Sequence, residues 1–82
     1  MNRIQTYQNK KRLRLDNIDD YIEIEKDWRL ELSCGQLDVE TDKGERLIFT
    51  NLMAGHFPVR ITKIFREDTK MDYVDVFYNQ TT

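Results

Sequence analysis

An all-β fold is what this chain predicts, a compact antiparallel barrel or two-sheet sandwich of about six to seven strands. Three observations carry the expectation. Apolar residues alternate with polar ones through residues 21–40, break at Cys34-Gly35, and resume through residues 46–49. The interruption at Asp42-Lys43-Gly44 supplies a glycine where a tight hairpin needs φ > 0. Four Phe, four Tyr and one Trp sit within that periodicity, which separates the chain from a charged disordered one.

The elements follow in order. Residues 1–14 form a basic arm or an edge strand, with Leu13 and Leu15 turned inward at its end. Asp and Asn crowd residues 16–20 and favour a turn there, because their side chains bond the local backbone. Residues 21–25 put Ile22 and Ile24 on one face and two glutamates on the other. Lys26-Asp27 is a corner, after which Trp28, Leu30 and Leu32 face inward. Beyond Cys34-Gly35, Leu37 and Val39 point to the core, while Asp38 and Glu40 fall on the outward phase with Glu23, Glu25 and Glu31. Residues 46–50 read as a strand buried on more than one side. Residues 51–56 are the longest break, with room for one helical turn. Pro58 opens the next strand, since it donates nothing to a ladder. Ile61 and the adjacent pair Ile64-Phe65 fall out of phase with each other, which implies a bulge. Residues 67–70 read as a polar turn, and residues 73–78 as a closing strand. The expected core is Ile22, Ile24, Trp28, Leu30, Leu32, Leu37, Val39, Ile48, Val59, Ile61, Val74 and Val76.

The 82 residues predict one small domain: the arm at 1–14, a β body at 15–79 and a loose tail at 80–82. A single cysteine, Cys34, rules out an internal disulfide, and one histidine, His56, leaves a structural zinc site without its usual ligands. No cofactor is expected. Neither a long apolar run nor a signal-like N-terminus is present, so the expectation is a cytoplasmic protein with Cys34 reduced. Net charge is −2 but unevenly placed. Five bases and no acid precede Leu15, against eight bases and fifteen acids after it.

Acid–base catalysis needs paired titratable groups in a pocket, and the carboxylates here fall on solvated strand faces. Cys34 lies in a turn with nothing to pair it to His56, and the three isolated glycines make no phosphate-cradling loop. A non-enzymatic role follows. The last strand is apolar on both phases, since Tyr73, Asp75 and Phe77 oppose Val74 and Val76. It is either covered twice or presents an aromatic patch of the kind that marks protein interfaces. Tyr73, Phe77 and Asp75 are therefore the candidate protein-binding residues, for a partner or for a homodimer. The alternative is a single-strand nucleic-acid binder that grips phosphate with Lys10, Lys11, Arg12 and Arg14. A sequence pI near 5.3 weighs against it.

The layout from residue 32 onward adds a resemblance. The hairpin ending in residues 46–49, then Ala54-Gly55-His56-Phe57-Pro58-Val59, then the alternating final strand is similar to small bacterial β-sandwich proteins such as the competence-nuclease inhibitor family. The resemblance implies a sandwich and a small inhibitor or accessory factor of bacterial or phage type. This chain is far shorter than those proteins.

Overall fold

The chain switches repeatedly between two sheets as it runs. A computed structural model describes residues 7–79. Its strands are β1 (Asn9–Arg14), β2 (Tyr21–Glu23), β3 (Arg29–Leu32), β4 (Gly35–Thr41), β5 (Arg46–Leu52), β6 (Gly55–His56), β7 (Ile61–Lys70) and β8 (Tyr73–Tyr78). A single 3-10 turn, Leu15–Asn17, follows β1. Sheet 1 has the order β1-β8-β3-β6 and sheet 2 the order β2-β7-β4-β5, every pair antiparallel. The architecture is thus a two-sheet sandwich, the second of the two expected forms, with eight strands among the described residues where six to seven were expected, because the short β6 lies within the 51–56 break. The tail at 80–82 and the first six residues of the arm lie outside the described residues.

One apolar cluster fills the space between the sheets. Leu30, Leu32, Val74 and Val76 come from sheet 1; Leu37, Val39, Ile61 and Ile64 come from sheet 2. Ile24, Leu15, Phe57 and Met71 close it from the connections. The alternation that predicted these strands therefore faces the predicted way along β3, β4 and β8. Leu15 is turned inward as expected, and Phe57, Ile64 and Met71 join the core beyond the expected positions.

Several expectations are corrected. Ile48 is half exposed, not core, because β5 is the free edge of sheet 2 and Ile48 belongs to its outer face beside Asp38. The same edge position leaves most of β5 solvent-exposed, although an apolar run of this kind suits a strand covered on both sides. Trp28 precedes β3 instead of heading it and packs half-buried at the sandwich end, its ring 6.0 Å from Tyr78. The Lys11 ammonium lies over the same ring at 5.1 Å. Residues 67–70 are no turn: β7 continues to Lys70, and the reversal falls at Met71 and Asp72. No helical turn interrupts residues 51–56, where β5 runs on to Leu52 and β6 begins at Gly55. Cys34 is exposed.

The expected bulge is present, with a larger one beyond it. Pairing slips between Glu40↔Lys63 and Thr41↔Ile61, so Thr62 is the extra residue and both Ile61 and Ile64 reach the core. Further along, Gln36 pairs Lys70 while Asp38 pairs Phe65, which leaves Leu37 facing residues 66–69. Asp38 organises that loop-out. Its carboxylate accepts Arg46 Nε at 2.9 Å, Arg46 Nη2 at 2.8 Å and the Asp68 amide at 3.3 Å. Its own N–H donates to Thr69 Oγ1 at 3.1 Å. Asp38 does face outward, as its phase predicts, but it is 0% exposed beneath the Arg46 guanidinium. The Arg46 guanidinium also stacks on Phe65 at 3.8 Å.

Glycine is required at two corners. Gly44 closes the β4–β5 hairpin at φ 81°, as expected, with its N–H donating to Thr41 O at 3.0 Å. Gly35 starts β4 at φ 142°, and a Cβ there would collide with the Lys70 carbonyl.

Candidate functional site

Sheet 1 buries one face in the sandwich and turns the other outward. Antiparallel pairing puts directly opposed residues on the same face. Lys10, Phe77 and Arg29 therefore share one outer row. Arg12, Asp75, Glu31 and His56 share the next, and Arg14 with Tyr73 the third. Two groups of residues that the sequence offered to different partners thus meet on one surface. Tyr73, Phe77 and Asp75 form its floor, and Lys10, Arg12 and Arg14 project from the strand alongside. Lys11 does not join them, because its phase is the opposite one and its ammonium sits over Trp28.

The aromatic floor is roofed by the cations. Arg12 stacks on Tyr73 at 3.8 Å and Lys10 sits 5.6 Å from the Phe77 ring centre. The Tyr7 ring is tilted against Phe77 with centroids 6.4 Å apart. Both floor rings are half-buried, so the strand is covered on each face and no bare aromatic patch remains. Asp75 anchors the roof. Its carboxylate accepts Arg12 Nε at 2.8 Å and Arg12 Nη2 at 3.2 Å, and Lys10 Nζ stands 3.7 Å away. The Arg12 hydrogen bonds hold the Asp75 carboxyl below the ordinary carboxylate range against the opposing pull of burial, with Lys10 adding to the effect.

What solvent meets is cationic. Side-chain exposure is 56% for Lys10, 50% for Arg12 and 62% for Arg14, against 12% for Asp75. Arg29 extends the face and pairs with Glu31 at 3.1 Å, while Arg14 pairs with the exposed Asp16 at the same distance. Arg29 and His56 were not among the expected site residues. The outward phase of Arg29 is legible in the sequence, whereas His56 falls in the 51–56 break and carries no phase; that β3 lies beside β8 is not legible, because the order of strands in a sheet is a long-range property.

A second concavity opens at one end of the sandwich. It encloses about 440 Å³ between the β2–β3 and β6–β7 connections, with Trp28, Phe57 and Pro58 beside Lys26, Arg29 and Arg60. Among the described residues no three His, Cys, Asp or Glu side chains converge as metal ligands. No helix among them is long and apolar enough to cross a membrane. Comparison with protein-family models, with curated proteins and with solved structures gives no match to this chain.

Proposed function

We propose that the protein is a non-enzymatic protein-binding module of the cytoplasm, a small inhibitor or accessory factor that docks an acidic protein surface on the outer face of β1, β8 and β3. The observation that supports this most is the roofed face. Half-exposed cations stand at alternate positions of one strand over a rigid aromatic floor, and the one deep carboxylate is spent on holding them. Asp75 is thereby neutralised within the face, so the matching partner carries carboxylates. Ordering Arg12 and Lys10 in advance lowers the entropy that docking would otherwise cost. The resemblance of the sequence layout to the competence-nuclease inhibitor family supports the same class of role.

The second reading is single-strand nucleic-acid binding on the same face. Lys10, Arg12 and Arg14 favour it, since successive cations on a strand suit successive phosphates. Against it, Tyr73 and Phe77 lie beneath cations and offer no free ring to a base.

Capture from nuclease-treated host lysate tests the proposal, with wild type compared against Lys10→Glu/Arg14→Glu. Both side chains are more than half exposed, so the variant keeps the fold. A protein retained by wild type and lost by the variant is the expected result. Equal capture by both removes the face from the account. A labelled single-stranded oligonucleotide that binds, with affinity falling as salt rises, would transfer the face to the second reading.

A further inference from the structure

We propose that the free edge of β5 pairs with the same edge of a second copy of this chain, antiparallel and centred on Ile48, so that two copies of sheet 2 become one continuous sheet. The inference concerns sheet 2 and stands apart from the docking face on sheet 1.

Among the described residues each sheet has two edges, and three of the four are blunted. Strand β1 carries Lys10, Lys11, Arg12 and Arg14. Strand β2 is three residues long and ends in Glu23, and β6 is two residues long. Charge and brevity are the usual protections against edge-to-edge pairing. Strand β5 has neither. It runs for seven residues, contains no proline or lysine, and exposes Leu47 by 40% and Ile48 by 50%. Its one charge, Arg46, is drawn back over its own sheet by Asp38.

The backbone selects both the partner and the register. Thr41 donates its N–H to Glu45 O at 2.8 Å, which makes Thr41 and Glu45 a hydrogen-bonded pair. Antiparallel pairs alternate, so Leu47 and Phe49 bond inward to β4, while Arg46, Ile48 and Thr50 direct N–H and C=O to the open edge. The regular stretch is bounded on one side by the Gly44 turn and on the other by Asn51, at φ 56°. Its midpoint is Ile48, an outward-bonding residue. A two-fold axis there pairs Ile48 with Ile48 of the second copy and Arg46 with Thr50. Every outward group of the regular stretch is then satisfied in both copies. On the inner face the same register sets Leu47 against Phe49 of the second copy, apolar on apolar. No like charges oppose, because each Arg46 meets a threonine and remains on its own Asp38. A strand pattern that completes itself under this symmetry fits a second copy of the chain.

Sedimentation equilibrium over a concentration series tests the proposal, on wild type, Ile48→Pro and Ile48→Lys. Proline at 48 removes an N–H that β4 does not use, so the edge is blocked and the intramolecular ladder kept. Lysine keeps the backbone and sets two charges against each other at the axis. The expected result is a mass that rises from one to two chains of 10.0 kDa for wild type and stays at one for both variants. Circular dichroism melting establishes which variants are folded, and Ile48→Lys decides alone if proline unfolds the chain. A wild type that is monomeric throughout, or a dimer that persists in a folded variant, overturns the proposal. Register is read by oxidising Cys34→Ser/Ile48→Cys. Hydrogen-bonded partners lie about 5.5 Å apart between Cα atoms, within disulfide reach. Failure of the dimer to cross-link at 48 would overturn the two-fold centre.

Discussion

Replacing Asp38 with alanine tests whether one buried carboxylate fastens sheet 2 to its own bulge. The side chain is 0% exposed and accepts two hydrogen bonds from Arg46 and one from the Asp68 amide. A net bond to a charged group contributes roughly 1.5–3 kcal/mol. Arg46 is 47% exposed, so water takes over its lost contacts and each is discounted to roughly 1 kcal/mol. The stranded Asp68 N–H adds about 1 kcal/mol. The sum is about 3 kcal/mol, a large fraction of the stability of so small a domain. For this chain length it corresponds to a fall in Tm on the order of 15 °C. Urea unfolding followed by Trp28 fluorescence measures it. Asp38→Asn keeps the shape and loses the charge, and falls between the two. Asp38→Ala/Arg46→Ala destabilises by less than the sum of its parts, because the second change removes a partner already lost. A stability for Asp38→Ala within about 1 kcal/mol of wild type would refute the reasoning.

The remaining expectations follow from the same geometry. Asp38 and Asp75 both titrate below their unfolded value, so each adds stability above a pH of about 4 and loses it as pH falls through its folded value. Acid titration of wild type beside Asp38→Ala shows the gap between them closing toward low pH; a constant gap would contradict the ionic origin. Gly35→Ala drives a Cβ into the Lys70 carbonyl and prevents normal folding, read as loss of the cooperative melt. Gly44→Val meets no neighbouring atom, so it costs only the backbone strain of a left-handed residue, about 1–2 kcal/mol by denaturation. Trp28→Ala removes a half-buried ring at the sandwich end and costs about 2 kcal/mol, below the range for a central core aromatic.

How much of this is legible in the sequence depends on the range of the interaction. The facing of Leu30, Leu32, Leu37, Val39, Val74 and Val76 is a period-2 property, and local alternation carried it. The hairpin at Gly44 and the slip before Ile64 are local as well. Ile48 was misplaced because apolar alternation describes a strand's two faces and says nothing of whether its edge is covered. Asp38 shows the converse. Its outward phase was right, yet a bulge made by residues 66–69, far along the chain, buries it. Trp28 was assigned to the core from its place at the head of an alternating run, but the strand starts one residue later. On the candidate face, the outward phase of Lys10, Arg12 and Arg14 was legible, as was that of Tyr73, Asp75 and Phe77. Their union was not, because only the pairing of β1 with β8 brings the two ends of the chain together. That pairing also turned an exposed aromatic patch into a floor beneath cations.

The outer face of sheet 1 is the proposed docking surface for a protein partner. Amide chemical-shift mapping of the labelled chain, titrated with the partner recovered by capture, tests it residue by residue. The expected shifts run along β1, β8 and β3, concentrated at Lys10, Arg12, Arg14, Arg29, Tyr73 and Phe77, and are abolished in Lys10→Glu/Arg14→Glu. Shifts confined to the cleft beside Trp28 and Phe57, or to the β5 edge, with β1 and β8 unmoved, would contradict it.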